Sequence, residues 1–292
     1  MKNLGWYAAF LIVLLAGDRA GGYLLQQQVA KSQFRYSRMY RGDAAADILL
    51  LGNSRGLTFY QPYIEEKTGL KTFNLSYNGL PMDVAKVLVQ DYLERYPAPK
   101  RLVIDITSCD RTNDELMAGF LTYSNQSFRL DTLMHNKLKK VWRGGQVSAL
   151  FRYNNEIFQR ALSHRNQTDA GWLLDRVIAP KLAAGVAQHN YPLDVHPYLL
   201  QQLREICAAA QAKGVDVRLV IGPYFPGFAQ NVSNLEALKT AAMQVTGLPV
   251  TDYSKALTNP SDFGDFMHPN LQGSKKFIDL MRLDGVLPGG KG

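Results

Sequence analysis

The sequence predicts an α/β protein: a three-layer sandwich on a mostly parallel sheet, with a helical insertion and an N-terminal transmembrane helix. Three observations predict it. Short continuous apolar runs, Ile48 to Leu51 the clearest, alternate with stretches of helical periodicity, as buried parallel strands and their crossover helices do. Between Thr112 and Val195 the strand signal disappears and basic, helical sequence replaces it. The first 25 residues are almost wholly apolar.

At the N-terminus, Lys2 precedes an apolar run from Leu4 to Gly17, then Asp18-Arg19, then small and apolar residues to Leu25. The run to Gly17 alone suits the core of a signal peptide. Counted on to Leu25 it is long enough to cross a bilayer if Asp18 and Arg19 snorkel to the interface. No lipobox cysteine and no small-x-small cleavage site follow directly, and Trp6 and Tyr7 suit an interface, so residues 1–25 are expected to be an uncleaved anchor. The flanking charges do not orient it: Lys2 stands against Arg19, Lys31, Arg35, Arg38 and Arg41.

Residues 26–46 are polar and basic and read as a linker or surface helix. An α/β domain is expected over 47–292. Its strands are read at Ile48 to Leu51, Thr72 to Leu75, Leu102 to Ile106, Val215 to Ile221 and Val250-Thr251. Helices open at Gln61-Pro62, Pro81 and Pro197 and near Leu271, and Gly69 and Gly214 close two of them. The insertion, about 112–195, carries Arg129, Lys137, Lys139, Lys140, Arg143, Arg152, Arg160 and Arg165 with Trp142 and Trp172.

With 292 residues, 46% hydrophobic and 20% charged, the composition is that of a globular protein. The net charge of +8 comes without zinc-finger spacing, an aromatic RNA-binding signature or a Lys/Arg run, so nucleic acid is not an expected partner. No Cys/His cluster has metal-ligand spacing and no glycine-rich phosphate or dinucleotide loop appears. The expected chemistry therefore uses neither metal nor cofactor. Cys207 lies in an apolar helical stretch and reads as a small buried hydrophobe; a disulfide to Cys109 stays open.

In a parallel sheet the active site lies beyond the carboxyl ends of the strands. Gly52-Asn53-Ser54-Arg55-Gly56 follows the first strand, Ser76-Tyr77-Asn78-Gly79 the second, and Thr107-Ser108-Cys109-Asp110 the third. Asp265-Phe266-Met267-His268-Pro269 precedes the last helix. A serine at a strand-to-helix turn has an exposed hydroxyl and its own N–H for a developing oxyanion. A histidine can take the serine proton, and an aspartate three residues earlier can hold the other ring nitrogen. Ser54, His268 and Asp265 are the candidate catalytic residues.

The order and placement of these segments resemble the SGNH (GDSL-type) hydrolase superfamily. Leu49 to Arg55 resembles its first block, with Ser54 as nucleophile. Asn74 to Gly79 resembles the second, which implies that the Gly79 N–H lines the oxyanion hole. Asp265 and His268 match the fifth. The third block usually supplies an oxyanion-hole asparagine, and here Cys109 occupies that position; Asn113 comes later, and could replace it only in a rearranged loop. The anchor and the Gly-Asn-Ser-Arg variant resemble membrane-anchored envelope members, including alginate O-acetyltransferase-like proteins.

The resemblance implies a serine esterase or O-acyltransferase acting on acyl groups, acetyl foremost, of a cell-envelope polysaccharide. It implies a single pass through the bacterial inner membrane and a periplasmic catalytic domain. A membrane-bound acyltransferase or polysaccharide synthesis complex is the expected partner, and the basic insertion could hold an anionic polymer. Two alternatives remain: a lipase or phospholipase of the same superfamily, and a degenerate scaffold in a polysaccharide export complex.

Overall fold

The computed structural model describes residues 2–171 and 173–289; Trp172, one of the two tryptophans read in the insertion, lies outside them. From the N-terminus come α1 (Lys2–Lys31), α2 (Arg35–Arg41), β1 (Ile48–Leu51), α3 (Gln61–Thr68), β2 (Thr72–Asn74), α4 (Met82–Arg95) and β3 (Arg101–Asp105). The middle holds α5 (Asp114–Gly119), α6 (Phe128–Lys137), α7 (Lys139–Val147), α8 (Glu156–Ser163) and α9 (Pro180–Ala184). Then follow α10 (Pro197–Gln211), β4 (Asp216–Ile221), α11 (Leu235–Thr246), β5 (Val250–Asp252) and α12 (Leu271–Leu283).

The chain divides into two compact units: Met1–Asp43 with Asp114–Asp169, and Ala44–Asn113 with Ala170–Gly292. The second carries a five-stranded sheet of order β2-β1-β3-β4-β5, every pair parallel. All four residues of β1 are buried, as expected for a strand with a layer on each face. Ile48 pairs with Thr72 on one side and Arg101 on the other. The chain leaves β1 in one direction for β2, then crosses back to β3 and continues to β4 and β5. Right-handed crossovers put α3 on one face and α4, α10 and α11 on the other. The contacts agree: α10 packs against α4 and α11, while α12 packs against α3. The topological switch point lies between β1 and β3, where ligands bind in such sheets.

The first unit has its own core. Helix α1 runs through Lys31, beyond the expected end of the anchor, and Val29 near its end is buried. The expected linker over 26–46 is instead the last turns of α1 and the buried helix α2. Tyr36 packs on Phe120 with ring centroids 5.0 Å apart, Tyr40 stacks on Tyr123 at 5.5 Å, and the Ser37 and Tyr123 hydroxyls bond at 2.7 Å. Arg35 is buried against Asp169, Nε to Oδ2 2.5 Å. The basic letters suggested a solvated face, but the aromatic residues between them form the core, and the carboxylate that neutralises Arg35 lies far along the chain. The insertion read at 112–195 likewise splits: 114–169 joins the N-terminal helices, and 170–195 belongs with the sheet.

Candidate active site

The turn after β1 depends on two close backbone approaches. A side chain at Gly52 would meet the Gly56 Cα at 2.7 Å, and one at Gly56 would strike the Ser76 hydroxyl. Ser54 sits between them at the head of a short 3-10 turn, Arg55–Thr58. The Asn53 carboxamide accepts from the Arg55 N–H at 2.9 Å and donates to the Thr107 carbonyl at 3.2 Å, tying the serine turn to the segment after β3.

His268 lies 214 residues further on, and its Nε2 is 2.9 Å from Ser54 Oγ. Its Nδ1 is 2.9 and 3.0 Å from the two Asp265 carboxylate oxygens. The backbone N–H groups of Met267 and His268 donate to Asp265 Oδ1 at 2.8 and 2.9 Å. Partial burial alone would raise the Asp265 pKa. The hydrogen bond and charge of His268, with the two backbone donors, outweigh it and hold this carboxyl below its ordinary value. With Asp265 ionised, Nδ1 donates to it and Nε2 is left to accept the serine proton.

The loop bearing this pair is closed at its base. Phe263 and Pro269 form an antiparallel bridge, and the Gly264 N–H donates to the His268 carbonyl at 3.0 Å. Asn270 then caps α12 by accepting from the Gly273 N–H at 3.1 Å, while its amide donates to the carbonyls of Ser261 at 2.8 Å and Arg176 at 3.2 Å.

After β2, the Leu80 N–H donates to the Tyr77 carbonyl at 3.0 Å, closing a turn with Gly79 at φ +68°, a conformation in which side chains are strained. The Tyr77 N–H reaches the Gly52 carbonyl at 3.4 Å, and the Asn113 amide donates to the Gly79 carbonyl at 3.1 Å. Cys109, the position expected to line the oxyanion hole, is instead fully buried, with Sγ 3.8 Å from the Leu199 carbonyl of α10. Burial pushes its thiol far up and keeps it protonated. The Cys109 side chain thus turns into the core against α10.

A cleft of about 300 Å³ opens at Ser54, lined by Leu57, Thr58, Asn78, Leu173, Leu174, Asp265, His268 and Pro269. Leu173 and Leu174 carried no site signal in the sequence. Their segment is fastened to the histidine loop by the bond from Ile178 N–H to the Phe263 carbonyl at 2.8 Å and by Asn270.

Arg55 was also missed. It is buried, and its guanidinium lies 3.6 Å over the Tyr224 ring. It donates to the carbonyls of Met267 at 2.5 Å, Gly222 at 2.5 Å and Pro223 at 3.1 Å. Asp105, at the end of β3, faces its Nε at 3.9 Å, a meeting of charges without a hydrogen bond. One side chain thus joins the residue after Ser54 to the residue before His268. Among the described residues no group of His, Cys, Asp and Glu has a metal-holding arrangement.

No known family profile matches the chain, and no curated protein matches it. Among solved structures, it is similar to a GDSL-like lipase from Bacteroides thetaiotaomicron, at 12% identity and a TM-score of 0.40, over 82% of this chain and 86% of that one. That likeness is distant and assigns no chemistry to Ser54, Asp265 or His268.

Proposed function

We propose that the chain is a serine esterase or O-acyltransferase of the SGNH (GDSL) type, acting on acetyl groups of a cell-envelope polysaccharide. The observation that carries this reading is the unbroken chain from Ser54 Oγ through His268 to Asp265, at 2.9 Å on each side of the ring. Ser54 attacks the ester carbonyl while His268 Nε2 takes its proton. The N–H groups of Ser54 and Gly79 receive the oxyanion. His268 returns the proton to the departing alkoxide, leaving an acyl-serine and an alcohol. Water or a sugar hydroxyl then gives its proton to His268 and takes the acyl group, and His268 returns that proton to the departing Ser54 oxygen, restoring the free enzyme.

The small cleft with its leucine wall supports a short acyl chain. Helix α1 supports an uncleaved anchor, because it is continuous from the apolar run into the folded core at Val29, and the resemblance to envelope members supports a domain outside the cytoplasm. A polymer acceptor and a membrane-bound acyl donor partner are consistent with that placement.

Ser54→Ala should lower hydrolysis of an aryl acetate by at least about a thousandfold while the circular dichroism spectrum stays unchanged. Retained turnover in the variant would end the proposal. A preference for octanoyl over acetyl esters would favour the lipase reading over the acetyl one.

A further inference from the structure

Charged groups inside an apolar span are costly unless other groups satisfy them. The exposed apolar side chains of α1 begin at Trp6 and continue to Tyr23 and Leu24, a belt of about 27 Å at the helical rise, close to the hydrocarbon thickness of a bilayer. Asp18 and Arg19 fall within that belt. They do not stand alone. Asp18 accepts from the Ser148 hydroxyl at 2.5 Å and from the N–H groups of Ala149 and Leu150 at 2.7 and 3.2 Å. Arg19 donates to the carbonyls of Gln146 and Val147 at 3.4 and 3.2 Å.

The contact is close as well as polar. Gly22 is buried, and a methyl there would overlap the Ala149 side chain; one at Gly21 would come within 3.0 Å of Leu150. The turn that satisfies the charges carries large apolar side chains left open on their outer side: Val147 is 73% exposed, Phe151 45% and Leu150 42%. On α7, Lys139, Arg143 and Val147 recur every four residues, so two cations share the helix face that ends in the apolar turn.

We infer that α7 and the turn at 146–151 form a second membrane contact, built around α1. Val147, Leu150 and Phe151 enter the lipid beside Asp18–Gly22, and Lys139, Lys140 and Arg143 meet anionic headgroups one to two helical turns away. This rests on α1 being a membrane helix. The occupant is lipid because the exposed apolar surface of the turn continues that of α1 at the same level of the helix. The arrangement of apolar residues bordered by cations is that of an interfacial helix.

The test places an environment-sensitive fluorophore on single cysteines in the full chain, reconstituted in vesicles of phosphatidylglycerol and phosphatidylethanolamine containing brominated lipid. Cys109 and Cys207 are buried and stay unlabelled in the folded protein. Phe151→Cys should lose fluorescence as strongly as Phe10→Cys on α1. Arg165→Cys, exposed beside the far end of α1 where Gln33 bonds His164, should lose none. Quenching at 10 without quenching at 151 overturns the inference and leaves the anchor standing. Quenching at neither position removes both. A residue 151 that is unquenched in pure lipid yet shielded from aqueous alkylation in native membranes would mark a protein partner and overturn the inference too.

Discussion

Arg55 concentrates three functions in one side chain. Its carbonyl partners come from two loops, its plane lies on Tyr224, and its charge faces the buried Asp105. A lysine keeps the charge but cannot reach the Met267 carbonyl and the Gly222–Pro223 pair together. Arg55→Lys should therefore lower kcat by about ten- to a hundredfold, the cost of displacing a catalytic group by a fraction of an ångström to one, with KM little changed. Wild-type kcat in that variant would show that the bridge between the serine turn and the histidine loop has no positioning role. Ser54, Asp265 and His268 were legible because chemistry restricts the residue types and strand ends restrict their places. Arg55 stood beside Ser54 in plain view, yet its partners are backbone carbonyls, which leave no letter in a sequence. Cys109 was legible only as a position: its burial against α10 could not be read, because place in the chain does not say which way a side chain turns.

At the scale of the elements, buried parallel strands were the most legible, since their continuous apolar runs admit few other readings. Helix α2 was the least, because Arg35, Arg38 and Arg41 masked an aromatic face whose partners, Phe120 and Tyr123, lie in another segment. Helix α12 shows how an element end supports a site. Asn270 satisfies the first turn of the helix and holds two carbonyls, of Ser261 and Arg176, that brace the histidine loop and the leucine wall. Losing a cap costs about 1 kcal/mol, and each lost side-chain hydrogen bond about as much again. Asn270→Ala should thus reduce stability by about 2–3 kcal/mol, read from the urea midpoint at constant slope. A midpoint unchanged within error would mean that the loop closes without Asn270.

For the whole molecule, the proposed anchor carries a consequence for processing. A signal peptidase cut near residue 20–25 would sever α1 between its apolar half and Val29. The mature chain should therefore keep the apolar segment of α1, stay with the membrane after an alkaline carbonate wash, and dissolve only in detergent; Edman degradation that starts between Gly17 and Val29 would contradict it. The pairing of Ser54 with His268 has a further consequence, in time. The two are 214 residues apart, and at about 5–20 residues per second roughly 10–40 s separate their synthesis. The histidine sits in the loop that the Phe263–Pro269 bridge closes and that Asn270 ties to α12. Under the proposed mechanism, a nascent chain carries Ser54 through that interval with no base to activate it, and the hydroxyl first becomes a nucleophile once residues 265–268 have emerged and folded against it.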